Sequence, residues 1–193
     1  MALLEIIKFP DPRLKMVSVP VINFDKELET LIANINETMI EAKGIGLAAV
    51  QVGVLKRLIV VDIGDLSTDE SYVEGVEEDE RRLSEKKTVS KLEVFINPKI
   101  IESDGEIEYE EGCLSVPGVF ATIKRKERLK IEYQDIQGKK QTIESTGLRS
   151  IVLQHEMDHM EGIVFPDRLG PMQRMMLLEK YKKLQLKKVL EKA

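Results

Sequence analysis

The stretch GLRSIVLQHEMDHMEG (residues 147–162) holds both histidines of the chain, four residues apart, with a glutamate directly after the first. Leu148, Ile151, Val152 and His155 recur at helical spacing, so the stretch reads as a helix. At about 100° per residue, His155 and His159 lie only about 40° apart around its axis, and both imidazoles can face one ion. Glu156 projects in the neighbouring direction, which suits a carboxylate that takes a proton from water beside a metal. A hydrolytic metal site usually takes three protein ligands. The helix therefore offers two ligands and a base, and the third ligand must come from elsewhere in the chain.

Upstream of the helix, LEVFINPKI (92–100), GEIEYEEG (105–112), VFATIKR (119–125), RLKIEYQDI (128–136) and KQTIESTG (140–147) carry strand signals. IQGKK (136–140) reads as a hairpin turn between the last two. RLIVVDI (57–63) is a short, β-branched apolar run of the kind that fills a buried strand. DKELETLIANINETMIEAKG (25–44) reads as a helix, with Asp25 as N-cap, an apolar face of Leu28, Leu31, Ile35, Met39 and Ala42, and Gly44 ending it. GIGLAAVQVG (44–53) is too rich in glycine and small residues to continue that helix. Gly46 and Gly53 suggest close approach of backbone to another group. After Gly170, Pro171 opens a terminal helix, with Met172, Met175, Leu178, Tyr181, Leu184 and Val189 on one apolar face and lysines opposite. The expected fold class is α+β: mostly antiparallel strands packed around the histidine helix, with a C-terminal amphipathic helix at 171–193.

With 193 residues, 42% hydrophobic and 33% charged, the chain has the size and composition of one globular domain, taken as 1–193. It lacks a run of the ~18 apolar residues that a membrane span needs, and its opening MALLEIIKFPDPR lacks the pattern of a secretory signal. A single cysteine excludes an internal disulfide. A cytoplasmic location is the expectation from these features. The net charge of −5 is unevenly spread. Residues 65–91, with nine acidic against five basic side chains, read as an exposed loop, while 171–193 carries seven basic against two acidic.

Several residues compete for the third ligand position. An H-E-x-x-H-x-x-G-x-x-H extension is excluded, because Gly162 fits but Phe165 stands where the last histidine would be. Glu179 lies at a suitable distance downstream, in a lysine-rich amphipathic helix where a solvated carboxylate is the plainer reading. Cys113 sits in EEGCLSVPG (110–118), between a glycine and a Pro-Gly turn. A thiolate is a strong ligand for Zn²⁺ or Fe²⁺, and a buried cysteine acting as a small hydrophobe is the alternative. The residues by themselves leave these readings open.

Taken together, GIGLAAVQVG (44–53), EGCLSVPG (111–118) and QHEMDHMEG (154–162) resemble, in order and spacing, the three signature motifs of the bacterial-type peptide deformylases. The resemblance runs from LLEIIKFPDPRL (3–14) to the terminal helix, with 65–91 resembling an insertion relative to many bacterial members. It implies one divalent metal held by Cys113, His155 and His159: Fe²⁺ first, with Zn²⁺, Ni²⁺ or Co²⁺ able to occupy the site, and loss of activity in air. It implies hydrolysis of the N-formyl group from the initiator methionine of new polypeptides, releasing formate. Glu156 would act as the base, with the Gln51 side-chain amide and the Leu114 backbone N–H as donors to the oxyanion. Gly46 would let the nascent peptide lie along the backbone as an added strand. Ile45, Leu148 and Ile151 match the family's methionine pocket, with core packing as the alternative for all three. Arg125 and Asp158 also match family positions, either as an ion pair behind the metal or as exposed charges. The basic terminal helix resembles the segment by which bacterial members contact the ribosome, and no membrane partner is expected.

Overall fold

The alternation inside RLIVVDI sets the layering of the molecule. Leu58 and Val60 point to one side of a strand and Ile59 and Val61 to the other, since successive strand residues face opposite ways. All four are fully buried, so both faces of the sheet must be covered. The computed structural model describes residues 2–64 and 90–191 and shows what covers them. Most of the expected loop at 65–91 falls outside the described residues.

Among the described residues, seven strands form two antiparallel sheets: β1 Gly46–Ala48, β2 Leu58–Val61, β3 Glu93–Asp104, β4 Ile107–Glu111, β5 Ala121–Arg125, β6 Arg128–Gln134 and β7 Lys140–Thr146. The larger sheet has the order β1-β2-β3-β6-β7, and β4 pairs with β5 alone. Helix α1, Lys26–Glu41, covers the Leu58/Val60 face with Leu28, Ile32, Ile35 and Met39. Asp25 starts it, its carboxylate accepting the Leu28 N–H at 3.0 Å. Helix α2, Gly147–Met160, covers the opposite face, with Leu148, Val152 and Leu153 against Ile59, Val61, Phe95 and Ile131. The β6–β7 hairpin turn falls where IQGKK predicts it, closed by the Asp135 N–H on the Lys139 carbonyl at 3.0 Å.

Two features, in helix α3 and at Gly53, differ from the sequence reading, each for a physical reason. Helix α2 is buried on almost every side, in keeping with the expectation of strands packed around it. Ser150, Glu156, Asp158 and His159 are interior as well, because the β4–β5 pair closes over the flank that the sheet leaves open. Helix α3, Pro171–Leu190, meets the body through Leu177, Tyr181 and Leu184. Met172, Met175 and Val189 of the expected face are exposed, since the contact is made by the middle of the helix. Gly53 has φ 83° and caps the short 3₁₀ turn Ala49–Val52. Its Cβ would meet only ordinary contacts, so the left-handed backbone explains this glycine and close approach does not. Among the described residues, no helix is long and apolar enough to cross a membrane.

Candidate metal centre and active site

Two elements build the site. Helix α2 carries His155, Glu156 and His159, and the turn leaving β4 carries Cys113. Cys113 Sγ lies 3.2 Å from His159 Nε2. One donor atom from each of Cys113, His155 and His159 lies within 4.8 Å of the others. Donors around a tetrahedral ion stand roughly 3.3–3.6 Å apart, so one sulfur and two imidazoles at this spacing fit a single metal ion. His155 Nδ1 is taken up by Glu111 Oε2 at 2.8 Å, which leaves Nε2 for the ion and fixes the ring. Glu179, the competing third ligand, is exposed on α3 and outside this cluster.

Burial shapes the charges here. It pushes the His159 imidazole well below its ordinary range, toward the neutral form that a metal requires. At His155 burial acts the same way, but the hydrogen bonds its ring makes to Cys113 and Glu111 outweigh it and raise the group. The Glu156 carboxyl is pushed up to about 7, chiefly by burial. Its Oε2 has no hydrogen-bond partner among the described residues. Gly46 accounts for the place of this side chain: a Cβ there would stand 2.6 Å from Glu156 Oε1. Close approach of backbone is thus the reason for glycine at 46.

Gln51 sits at the end of the 3₁₀ turn after β1. Its Oε1 accepts the Ala48 N–H at 2.8 Å, which aims Nε2 at Ser115 Oγ, 3.2 Å away, and at Cys113 Sγ, 3.6 Å away. These groups share a cavity of about 330 Å³ whose wall includes Ile45, Gly46, Gln51, Cys113, Leu114, Leu148, Ile151, His155 and Glu156. His159 lies behind that wall. Tyr109, Val152 and Phe120 also line it and were not among the site residues expected from sequence. Tyr109 could have been found: with Ile107 it forms the apolar side of an alternating strand, opposite Glu108 and Glu110.

Behind His155 the site is backed by buried charge. Arg125 holds Glu111 through two hydrogen bonds, Nε to Oε1 at 2.6 Å and Nη2 to Oε2 at 2.8 Å. Its Nη1 reaches Asp158 Oδ2 at 2.6 Å, and Asp158 also accepts from Arg168 Nε at 2.9 Å. Of the two readings open for Arg125 and Asp158, the buried ion pair is the one found. Burial alone would raise the Glu111 carboxyl, but Arg125 and His155 outweigh it and hold it down at about 2. Glu111 was missed because it stands in a run of charges, EYEEG, that reads as a solvated strand.

The family model described as polypeptide deformylase matches residues 3–175. A peptide deformylase of Chromobacterium violaceum is 47% identical over 183 residues, covering 95% of this chain and 96% of the relative. One of Novosphingobium aromaticivorans is 46% identical over 185 residues, covering 95% and 98%. The solved peptide deformylase of Legionella pneumophila, 41% identical, has a TM-score of 0.78 over 96% of this chain and 98% of that one. The Ehrlichia chaffeensis enzyme in complex with actinonin is 36% identical, with a TM-score of 0.79 over 95% and 98%. With a family model spanning most of its length and relatives this similar from end to end, the chain belongs to the polypeptide deformylase family.

Proposed function

We propose that the chain is a metal-dependent hydrolase that removes the N-formyl group from the formylmethionine end of newly synthesised polypeptides, releasing formate. The observation that carries this reading is the meeting of Cys113, His155 and His159 within 4.8 Å at a cavity that also presents Glu156 and Gln51. In this reading the three hold one divalent ion, Fe²⁺, with Zn²⁺, Ni²⁺ or Co²⁺ also suited to one sulfur and two imidazoles. When bound, the ion supplies Lewis acidity, which acidifies water and polarises the formyl carbonyl.

The protein's own groups do the rest. Glu156 takes a proton from the attacking water. As the formyl oxygen gains charge, the Gln51 amide and the Leu114 N–H donate to it. Glu156 then passes the proton to the leaving nitrogen as the C–N bond breaks. Ile45, Leu148 and Ile151 give the methionine side chain an apolar wall. The peptide runs past Gly46 as an added strand, which suits β1 because it stands at the edge of its sheet. Residues 1–193 act as one catalytic domain, with 65–91 inserted in it, in the cytoplasm where nascent chains emerge.

The test is mass spectrometry of formyl-Met-Ala-Ser incubated with protein purified without oxygen, with metal determined on the same sample. Loss of the formyl mass from an intact tripeptide, and bound iron, are expected, with much slower reaction when the first residue is charged. Internal cleavage would sink this reading in favour of an endopeptidase.

A ribosome contact through α3 is part of the same proposal. Lys180, Lys182, Lys183 and Lys187 are exposed on it, and such a surface suits ribosomal RNA. Truncating the helix would remove Tyr181, which is buried, so charge reversal is the cleaner test. Lys182→Glu with Lys183→Glu and Lys187→Glu is expected to abolish salt-sensitive co-sedimentation with ribosomes and to leave tripeptide deformylation unchanged. Unaltered co-sedimentation would remove the contact from the proposal.

A further inference from the structure

The segment ahead of the first helix is tied to both halves of the site. Ile7 N–H donates to the Gln51 carbonyl at 2.7 Å and Phe9 N–H to the Ser115 carbonyl at 2.8 Å. Between them, Lys8 Nζ donates to the Leu114 carbonyl at 2.5 Å. The peptide group that Lys8 grips is the one whose N–H, on Ser115, donates to Cys113 Sγ at 3.4 Å. A peptide group is conjugated across its C–N bond. A cation on its oxygen draws electron density from the nitrogen and makes the N–H a stronger donor, as hydrogen bonds in a chain polarise one another.

We propose that Lys8 is a positioning residue for the metal centre: through the Leu114–Ser115 peptide it strengthens the hydrogen bond on the Cys113 sulfur and so limits the charge that sulfur gives to the bound metal. This rests on Cys113 being a ligand, as read above. Lys8 is exposed and does not line the cavity, so replacing it leaves the core and the substrate wall in place. The second donor to the sulfur, Gln51 Nε2, is more distant at 3.6 Å and lies outside the Lys8 peptide.

The experiment is electronic absorption of the cobalt(II)-loaded protein. A sulfur with more free charge gives up an electron to the metal at lower energy. Lys8→Met is therefore expected to move the sulfur-to-cobalt charge-transfer band to longer wavelength, with the cobalt d–d bands unchanged. Lys8→Arg, which keeps a cationic donor, is expected to keep the wild-type position. An unshifted band in Lys8→Met would overturn the proposal. An equal shift in both variants would also overturn it, since the cation would then not be the cause. If the unmodified protein shows no sulfur-to-cobalt band at all, the reading of Cys113 as ligand fails first, and this inference with it.

Discussion

Glu156→Ala is expected to leave the metal site loaded and to lower turnover of a formylmethionyl peptide by roughly 10²–10⁴-fold, the usual worth of a positioned general base. The geometry separates the two effects. Cys113, His155 and His159 close a donor set without Glu156, whose carboxylate instead packs against the backbone at Gly46. Removing it also takes away a buried oxygen that has no hydrogen-bond partner among the described residues, so the fold should not suffer. Metal content per chain, kcat and the thermal midpoint, measured on one preparation, check this. Loss of metal along with activity would make Glu156 part of the metal site, and undiminished turnover would remove its role as base. Retained metal with lost turnover also disposes of the view that the domain only binds peptide ends around a structural ion.

What could be read in advance depended on whether the deciding interactions were local. Residues 58–61 announce a strand covered on both faces because four apolar residues in a row leave no face for water, and α1 and α2 supply the two covers. His155 and His159 declare a shared direction because helical geometry is local. Cys113 was different: its approach to α2 is a contact across 46 residues of chain, invisible to any periodicity, and only the likeness of three motifs to a family singled it out. Glu111 was hidden for the same reason in sharper form. Nothing next to it in sequence explains why a carboxylate should be buried; Arg125 and His155, from two other elements, do. The apolar face of α3 was misjudged because residues past the point of contact keep the same periodicity as those within it.

The same buried charge sets the second large expectation. Arg125→Met should destabilise the protein by about 3–5 kcal/mol, the cost of leaving a buried partner uncompensated. Both Arg125 and Glu111 have side chains only 3% exposed, so water cannot replace the lost guanidinium. Asp158 keeps Arg168, but among the described residues Glu111 keeps only His155. A carboxylate in that position must take up a proton or turn away, and either change loosens its hold on the His155 ring. Metal affinity should then fall by roughly 10–100-fold, as when an outer partner of a ligating histidine is lost. Urea unfolding of the metal-free protein reads the first effect, and competition for cobalt(II) with a chelator reads the second. The double variant Glu111→Gln with Arg125→Met separates this account from plain loss of packing. It removes the stranded charge while leaving the same gap at 125, so it should be more stable than Arg125→Met alone, yet bind metal no better. Equal instability of the two would mean that the alkyl stem of Arg125, and not its charge, holds the β4–β5 pair against α2.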